Sequence, residues 1–440
     1  MSETLLIKNG IVVTVDDSER VIERGAILVE GNKIAAVGRE DQVISEMKQT
    51  PDYLIDATGM AVLPGLVDLH FHTAIAKGVN DGMPLDKFLD NFWYPKLRLI
   101  RPEEVFWAAM NSYAEAIKSG TTCVNDMYRH MGSAGNAAEK IGIRAVLSSD
   151  AADKSEGLDT LEDNEKVIKE KNGAANGKIT ARVGVEWVPI ASIEFLSKVR
   201  KLADKYHVGI HIHLNESLAE LEMSKKRHGK RPVELAYDLG ILGPDCVAAH
   251  CVWLTGREIA LLKSSGANVS YDPGSNAKLG NGICPAPDLI SAGVNVGLGH
   301  DDNECNNTSD LFETMKFGAV IQRASRVDAS LMPASQMIEM ATRNGSRALG
   351  IPAGSLAPGR LADIILINLK TPRLTPVVMG KNSNILSHLV FAAHGEDVHT
   401  SIIDGNIVME DRKLMMVDED EIILKATESC NSLLERIPNS

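Results

Sequence analysis

The chain has 440 residues, of which 44% are hydrophobic and 24% charged, the proportions of a soluble globular protein with room for a large domain and a small accessory one. Its formal net charge of −13 and the lack of a Lys/Arg-rich run argue against binding to nucleic acid or an anionic membrane. The N-terminal segment does not have the pattern of a secretory signal, and no apolar stretch reaches the length of a membrane span. Six scattered cysteines without a Cys-x-x-Cys pair predict reduced thiols and a cytoplasmic location.

Short strands are predicted first, and β/α units follow them. The runs LLIKNGIVVTV, GAILVEGNKIAAVG and LIDATGMAVLPG are rich in β-branched residues and are broken by Asn-Gly, Glu-Gly-Asn and Thr-Gly turns. From Gly65 onward, strand-like runs alternate with stretches of helical spacing, such as residues 102–119, which predicts parallel β/α units. Eight such units indicate a closed barrel. The eight predicted strands are GLVDLHFH, TTCVNDM, IRAVLSSD, ARVGVEWVP, VGIHIHLNE, CVAAHC, ANVSYDP and VNVGLGHDD.

The short-strand pattern returns after about residue 355, in GRLADIILIN and HTSIIDGNIVMEDRKL, and the segment EDEIILKATESCNSLLERI reads as a terminal helix. We therefore predict an α/β protein with a (β/α)8 TIM-like barrel at residues 63–355. Both chain ends, residues 1–62 and 356–440, are predicted to pair into one small β-sandwich domain beside it.

Histidines and carboxylates are concentrated at the ends of the predicted barrel strands, where reactive groups of such barrels lie. His70 and His72 end the first strand, and because they are two residues apart they face the same side. His213 lies at the end of the fifth strand and Asp301 at the end of the eighth. Three imidazoles and one carboxylate form a set of metal ligands suited to Zn²⁺, with Fe²⁺ or Mn²⁺ as alternatives.

Two further strand-end residues are candidates for proton transfer. Glu216 follows His213 by three residues, where strand gives way to loop, so its carboxylate can reach a water on the metal. His250 ends the sixth strand. Each element alone is a weak signal, but their placement on strands one, five, six and eight together indicates one catalytic site.

Other residues keep two interpretations open. His211 is equally well explained as a packed inward residue and as a member of the site. His300 is better explained as a group that supports the ligands or faces the substrate than as a ligand. Trp93, in the loop after the first strand, either packs or covers a planar substrate. Asn276, in PGSNAKLGNG, belongs either to a simple turn or to the hydrogen-bond donors of the site.

Together these segments resemble the amidohydrolase superfamily. The resemblance rests on PGLVDLHFHT, SGTTCVNDMY, HIHLNES, AHCVWLT, SNAKLGNGICPAPDLISAGVNVGLGHDD and GSLAPGRLADIILI, and it covers nearly the whole chain. It is nearest to the branch that holds S-adenosylhomocysteine/methylthioadenosine deaminases, triazine chlorohydrolases and related aminohydrolases. What this resemblance implies is a hydrolase acting on carbon–nitrogen bonds other than peptide bonds, with one divalent metal ion.

The resemblance also implies a role for each site residue. His70, His72 and His213 match the metal-binding histidines, and Asp301 matches the aspartate that binds the metal and takes a proton from its water. Glu216 matches the acid/base that carries a proton to the leaving group. His250 matches the histidine that steadies the water and the attacked centre. This agrees with the chemistry expected of the residues themselves, because a metal lowers the pKa of water and a nearby carboxylate can move the proton.

Three departures from the family pattern affect groups that would face the substrate. VEWVPIAS lacks the histidine of the fourth strand, Trp253 stands where a second histidine often follows His250, and the eighth strand reads His300-Asp301-Asp302-Asn303. The metal set is intact. We therefore expect hydrolytic deamination, by metal-bound hydroxide, of a nitrogen heterocycle of the purine, pterin, pyrimidine or triazine type.

Alternative functions remain open at this point. They are dechlorination of a triazine-like compound, deamination of S-adenosylhomocysteine or methylthioadenosine, and a non-catalytic barrel that has kept the fold. Glu216 favours deamination, because an amine must be protonated to leave and chloride need not be. The expected partners are a small heterocyclic substrate and water, without nucleic acid or membrane, and a homo-oligomer is left open.

Overall fold

The computed structural model describes residues 3–47, 49–79 and 81–437. The strands are β1 Thr4–Val13, β2 Val21–Glu30, β3 Lys33–Arg39, β4 Tyr53–Asp56, β5 Met60–Pro64, β6 Leu66–His72, β7 Thr121–Tyr128, β8 Arg144–Ser149, β9 Ile179–Ala181, β10 Val183–Trp187, β11 Ile210–Leu214, β12 Cys246–His250, β13 Asn268–Tyr271, β14 Asn295–Leu298, β15 Asp301–Asp302, β16 Ile364–Asn368, β17 Val398–Ile403, β18 Asn406–Glu410 and β19 Lys413–Leu414.

The α-helices lie mainly between these strands. They are α1 Glu40–Glu46, α2 Leu85–Phe88, α3 Tyr94–Leu99, α4 Pro102–Lys118, α5 Met131–Ile141, α6 Leu161–Lys171, α7 Ile193–Tyr206, α8 Leu218–His228, α9 Pro232–Asp238, α10 Gly256–Ser265, α11 Pro273–Lys278, α12 Ala286–Ser291, α13 Leu311–Arg326, α14 Ala334–Glu339, α15 Gly345–Leu349, α16 Ile385–Phe391 and α17 Glu419–Leu434. None of the helices in the described ranges is long and apolar enough to cross a membrane.

Two five-stranded parallel sheets form the centre of the chain, in the orders β15-β6-β7-β8-β9 and β10-β11-β12-β13-β14. Only Arg182 separates β9 from β10, and only Gly299 and His300 separate β14 from β15, so each sheet continues into the other at both edges. β8 also contacts β10, and β6 contacts β14. The predicted alternation of parallel strands and helices is confirmed, and the arrangement is consistent with a TIM-like barrel.

The barrel strands are buried on both faces, which explains their nearly continuous apolar sequences. Every residue of β6, β7 and β8 is buried, and so is every residue of β11 and β12. Several polar residues among them, including His70, His72 and His213, occur near the carboxyl ends. Those ends of parallel strands meet on one side of the barrel, so these buried polar groups are brought together there.

Strands from both chain ends share one nine-stranded sheet, in the order β19-β18-β17-β16-β5-β1-β2-β3 with β4 on β1. β5 pairs antiparallel with β16, with Leu63 opposite Ile365. The apolar side chains of this sheet, including Ile7, Ile27 and Ile364, form a core cluster separate from that of the barrel. The N-terminal strands therefore depend on partners that lie about 300 residues later in the chain.

A buried ion pair joins the sheet to the barrel. The Arg144 guanidinium, at the start of β8, donates two hydrogen bonds to the carboxylate of Asp363, at 2.9 and 3.0 Å, and one to Asp404 at 3.2 Å. Both Arg144 and Asp363 are nearly fully buried. Asp363 also accepts a hydrogen bond from the backbone N–H of Asp404 at 2.7 Å. This joint aligns β16 and the turn before β18 against the barrel strand.

Asp363→Ala should destabilise the protein strongly, because it leaves the Arg144 charge buried with only part of its compensation. Removing one partner of a buried pair costs about 3–5 kcal/mol, and Asp404 offsets some of that loss. Urea unfolding followed by tryptophan fluorescence measures the effect. Lys198→Ala, which removes an exposed i,i+4 pair with Glu194, is the control and should cost less than about 1 kcal/mol. Equal losses in the two variants would mean that this joint does not stabilise the fold.

Candidate metal centre and catalytic cavity

Four barrel strands bring buried histidines and an aspartate to one point. β6 ends with His70 and His72, β11 contains His213, β12 ends at His250, and β15 begins at Asp301. The chain just before Asp301 passes so close to neighbouring strands that glycine is required there. A Cβ atom on Gly299 would lie 2.4 Å from Asp272 Oδ1 and 2.8 Å from the Cβ atom of His70.

The side chains of His70, His213, His250 and Asp301 form a compact cluster. One ligand atom from each lies within 4.8 Å of the others, and all four residues are buried. His70 Nε2 is 3.1 Å from Asp301 Oδ1 but has no hydrogen-bond partner in the described residues. A buried nitrogen without a partner, surrounded by other electron-pair donors, fits a cation at the centre of the cluster.

His72 belongs to the same cluster, although the tightest four-residue group contains His250 in its place. His72 Nε2 lies 3.3 Å from Asp301 Oδ1 and 3.2 Å from His213 Nε2. The Nδ1 atom of His72 donates to the Met127 carbonyl, and that of His213 donates to the Glu186 carbonyl at 2.6 Å. Both Nε2 atoms therefore present lone pairs to each other.

That arrangement brings two acceptor nitrogens together without a proton between them. Their close approach is repulsive unless a cation lies between them, which is the situation that ligating histidines create. The predicted ligands His70, His72, His213 and Asp301 thus converge, and His250 joins them. These five side chains suit a borderline divalent ion such as Zn²⁺.

Burial sets the protonation state of the cluster. It lowers the pKa of His70 and His72 well below the ordinary histidine value, and that of His213 to about 4. All three imidazoles are therefore neutral near pH 7, as metal ligation requires. Burial alone would raise the pKa of Asp301, but the nearby His250 and His72 outweigh it and hold the pKa below its usual value. The Ser275 hydroxyl donates to this carboxylate.

The backbone is strained at two of these residues. His250 has φ of 68° and Asp301 has φ of 74°, in the left-handed region that non-glycine residues rarely adopt. The His250 N–H donates to Asp272 Oδ2 at 2.9 Å, and its Nδ1 donates to Asn276 Oδ1 at 3.1 Å. Such strain persists where surrounding contacts hold it, and it is concentrated at functional sites.

Glu216 lies beside the cluster in the same cavity. Its Oε1 accepts a hydrogen bond from Asn281 at 2.8 Å, and its Oε2 is 3.8 Å from His250 Nε2. Burial, together with the charge of Asp301, raises the pKa of Glu216 well above the ordinary value. This carboxyl group therefore holds its proton to a higher pH than an exposed glutamate does, as suits a general acid. Trp253, the residue in place of a second histidine, supports it by donating to the Asn281 carbonyl at 2.6 Å.

A cavity opens onto the cluster. Its wall includes His72, His213, Glu216, His250 and Asp301, together with apolar side chains from the segment 85–93. Trp93 stands at the end of a π-helical turn, Leu89–Trp93, with its ring 5.6 Å from that of His72. Trp93 thus lies on the cavity wall, the position in which an aromatic ring covers a planar substrate.

Three of the candidate residues lie behind this wall. His300 donates through Nδ1 to Asp68 at 2.6 Å and packs against Phe71, and Asn276 is held by His250. His300 and Asn276 are therefore not among the residues that line this cavity, and their contact with substrate stays a prediction. His211 is buried, and its Nε2 lies 2.9 Å from Nδ1 of His70. This position fits the interpretation of His211 as a packed inward residue.

Sequence reasoning missed three polar residues of the cavity wall. Asp150 follows the third barrel strand, and Glu186 and Trp187 end the fourth. The rule that singled out the other site residues, namely polar side chains at the carboxyl ends of barrel strands, would have found all three. Asp150, Glu186 and Trp187 match no motif, so motifs alone do not indicate them.

Comparison with known proteins agrees with this geometry. Residues 61–408 match the sequence profile of the amidohydrolase family. The chain belongs to this family. It is 37% identical over 438 residues to a 5′-deoxyadenosine deaminase of Methanosarcina mazei, covering 98% of this chain and 99% of that protein. It is 38% identical to a 5-methylthioadenosine/S-adenosylhomocysteine deaminase of Thermococcus kodakarensis, covering 92% and 94%.

Solved structures extend the comparison to the metal. An adenosine deaminase from Xanthomonas campestris, solved with bound zinc, has a TM-score of 0.91 at 27% identity and covers 98% of each chain. An atrazine chlorohydrolase from Arthrobacter aurescens, also complexed with zinc, shares the fold with a TM-score of 0.87 at 22% identity, covering 97% of this chain and all of that one. These findings confirm the predicted enzyme class, a hydrolase acting on carbon–nitrogen bonds. The site is consistent with one divalent metal ion of the zinc type.

Purified protein should contain about one divalent ion per chain, and His213→Ala should weaken its binding. Loss of a group that merely orients a ligand costs about 10–100-fold in affinity, so loss of a ligand should cost at least that much. Elemental analysis after dialysis against a series of chelators of increasing strength measures the change. His388→Ala, whose ring bonds the Pro376 carbonyl outside the cavity, should keep full metal content. Two tightly bound ions per chain would contradict the single-ion site.

Proposed function

We propose that the protein hydrolytically deaminates an amino-substituted nitrogen heterocycle. Purine nucleosides of the 5′-deoxyadenosine or 5-methylthioadenosine type are the first candidates, because the relatives that bear those names align over nearly the full chain. The observation that carries the proposal is the buried carboxyl of Glu216. It keeps a raised pKa beside the metal cluster and faces the same cavity.

We assign the metal to His70, His72, His213 and Asp301, with His250 beside them. When bound, a divalent ion lowers the pKa of water enough to supply hydroxide near neutral pH. Asp301 keeps its carboxylate ionised, so its Oδ1 can accept the proton that the attacking water loses. The left-handed backbone at His250 and Asp301 holds both side chains toward the cavity.

Glu216 completes the proton transfer. The water oxygen adds to the ring carbon that carries the amino group, and the carbon–nitrogen bond then breaks. Glu216 Oε2 supplies the proton that lets ammonia leave, while Asn281 holds Oε1. His250 Nε2, near Glu216 Oε2, is placed to steady the attacked centre. Trp93 covers one face of the ring, while Asn276 and His300 act as positioning residues.

Hydrolytic dechlorination is the second candidate. It is favoured only by the fold shared with the atrazine chlorohydrolase, at 22% identity. A chloride leaving group does not need a proton donor. Glu216 is suited to be a proton donor, because its pKa is raised well above the ordinary value. Deamination accounts for this residue and dechlorination does not.

Several wider features of the protein remain proposals. We place a barrel domain at residues 63–355 and a small β-sandwich at residues 1–62 and 356–440, since strands of both ends share a sheet. All six cysteines are unpaired and five are buried, which suits a reducing compartment such as the cytoplasm. The expected partner is a small heterocyclic substrate, and self-association is open to measurement.

Glu216→Gln should preserve folding and metal content while lowering ammonia release from the best substrate of an amino-heterocycle panel that includes 5′-deoxyadenosine. General acid–base catalysis contributes about 10²–10⁴ in rate, so the loss should reach that range. The matched 6-chloro analogue of the substrate should lose less rate, because chloride leaves without protonation. Initial rates of ammonia and chloride release measure both effects.

Glu222→Gln is the control, because Glu222 is an exposed glutamate on α8, the helix that follows Glu216. It should leave both rates unchanged. Deamination by Glu216→Gln at the wild-type rate would exclude Glu216 as the acid. Loss of the metal from that variant would instead make Glu216 a ligand.

A further inference from the structure

Two carboxylates without an assigned role form one side of the cavity. Asp150 directly follows β8, and Glu186 lies in β10, the neighbouring strand that contacts β8. Both residues line the cavity that opens onto the metal cluster. We call Asp150 and Glu186 the acidic wall. Neither residue has a part in the proposed deamination chemistry.

The acidic wall has oxygen atoms that no protein group satisfies. Both carboxylate oxygens of Asp150, and Oε2 of Glu186, are buried and have no hydrogen-bond partner in the described residues. Asp150 is 0% exposed and Glu186 is 5% exposed. Only Oε1 of Glu186 accepts a hydrogen bond, from the Tyr94 hydroxyl at 3.0 Å. Unpaired buried carboxylates are costly, so these oxygens need donors that the cavity contents bring.

The protein does not provide a cation for this wall. Among the described residues that line the cavity, none is a lysine or an arginine. The nearby Lys96 forms a buried ion pair with Glu304, and its Nζ lies 3.7 Å from the centroid of the Trp93 ring. Lys96 is thus already neutralised. The unpaired oxygens of the acidic wall therefore meet no cation among these lining residues, and the N–H groups of a positively charged ligand suit them better than a neutral hydroxyl group does.

The shape and lining of the cavity favour a flat cation. Trp93 and Trp187 line the cavity together with the acidic wall, and indole faces attract cations and stack on planar groups. A carboxylate with both oxygens free accepts two parallel N–H bonds from a planar fork of donors. Asp150 is such a carboxylate, and Glu186 has one further free oxygen on the adjacent strand.

We propose that the acidic wall is a specificity subsite for a planar amidinium or guanidinium group of the substrate. Among amino-heterocycles, the deamination site would then favour one that carries such a cationic group over a neutral purine nucleoside. This inference rests on the proposed function for the reaction, but the subsite can be tested by binding alone.

Benzamidine and benzamide form a matched pair of probes, because they have nearly the same shape and only benzamidine is a cation at neutral pH. Calorimetric titration into the metal-loaded protein should show benzamidine binding at least about tenfold more tightly, the scale of a charge-assisted hydrogen bond. Asp150→Asn and Glu186→Gln should each remove most of this preference. Glu194→Gln, at an exposed glutamate on α7, should keep it.

The variants are nearly isosteric with the wild type, so they should fold, and their melting temperatures test whether they do. Asp150→Asn replaces a buried carboxyl group whose oxygens have no hydrogen-bond partner in the described residues, so its melting temperature should equal or exceed that of the wild type. The inference is overturned if the wild type shows no preference for benzamidine, or if both variants retain it.

Ammonia release from the amino-heterocycle panel, measured in parallel, separates this inference from the proposed function. Deamination of neutral substrates without a preference for benzamidine would refute the subsite and leave the function standing. A preference for benzamidine that depends on both carboxylates, in a protein that releases no ammonia, would refute the function and leave the subsite standing.

Discussion

The convergence of electron-pair donors at the mouth of the barrel is the constraint on which the rest of this structure depends. Nε2 atoms of His72 and His213 face each other at 3.2 Å, and Asp301 Oδ1 lies within 3.3 Å of His72 and His70. Carbonyl acceptors hold the Nδ1 protons outward, so this point is left with lone pairs only. A divalent cation relieves that repulsion, and the strained backbone at His250 and Asp301 is what such a site requires.

The same cavity gives its carboxyl groups different properties through their surroundings. Imidazoles around Asp301 outweigh the effect of its burial and keep its pKa low, whereas burial beside Asp301 raises the pKa of Glu216. These opposite pKa shifts suit the acid–base roles that we propose for the two groups. Asp150 and Glu186 share the cavity, and their oxygens without a hydrogen-bond partner in the described residues are the basis for assigning them to substrate binding.

The accessory sheet and the barrel depend on each other. β5 leads directly into β6, which ends with two of the histidines, and β5 is paired with β16 from the other end of the chain. Arg144 and Asp363 anchor that pairing to a barrel strand through buried hydrogen bonds. The strand that supplies His70 and His72 is therefore held at its start by the sheet and at its end by the metal cluster.

The amino-acid sequence by itself determined the order of strands and helices, the family, and the residues at the strand ends, because alternating buried strands and paired histidines are local patterns. Only the tertiary structure decided which of these residues face the cavity. His300 and Asp301 are neighbours in sequence, yet one turns back to Asp68 while the other meets the imidazoles. Asp150 and Glu186 match no motif, and their exposure to one cavity arises from the contact between β8 and β10 in the folded barrel. A sequence pattern does not contain the direction of a side chain at a strained strand end, since that direction is set by packing from other strands.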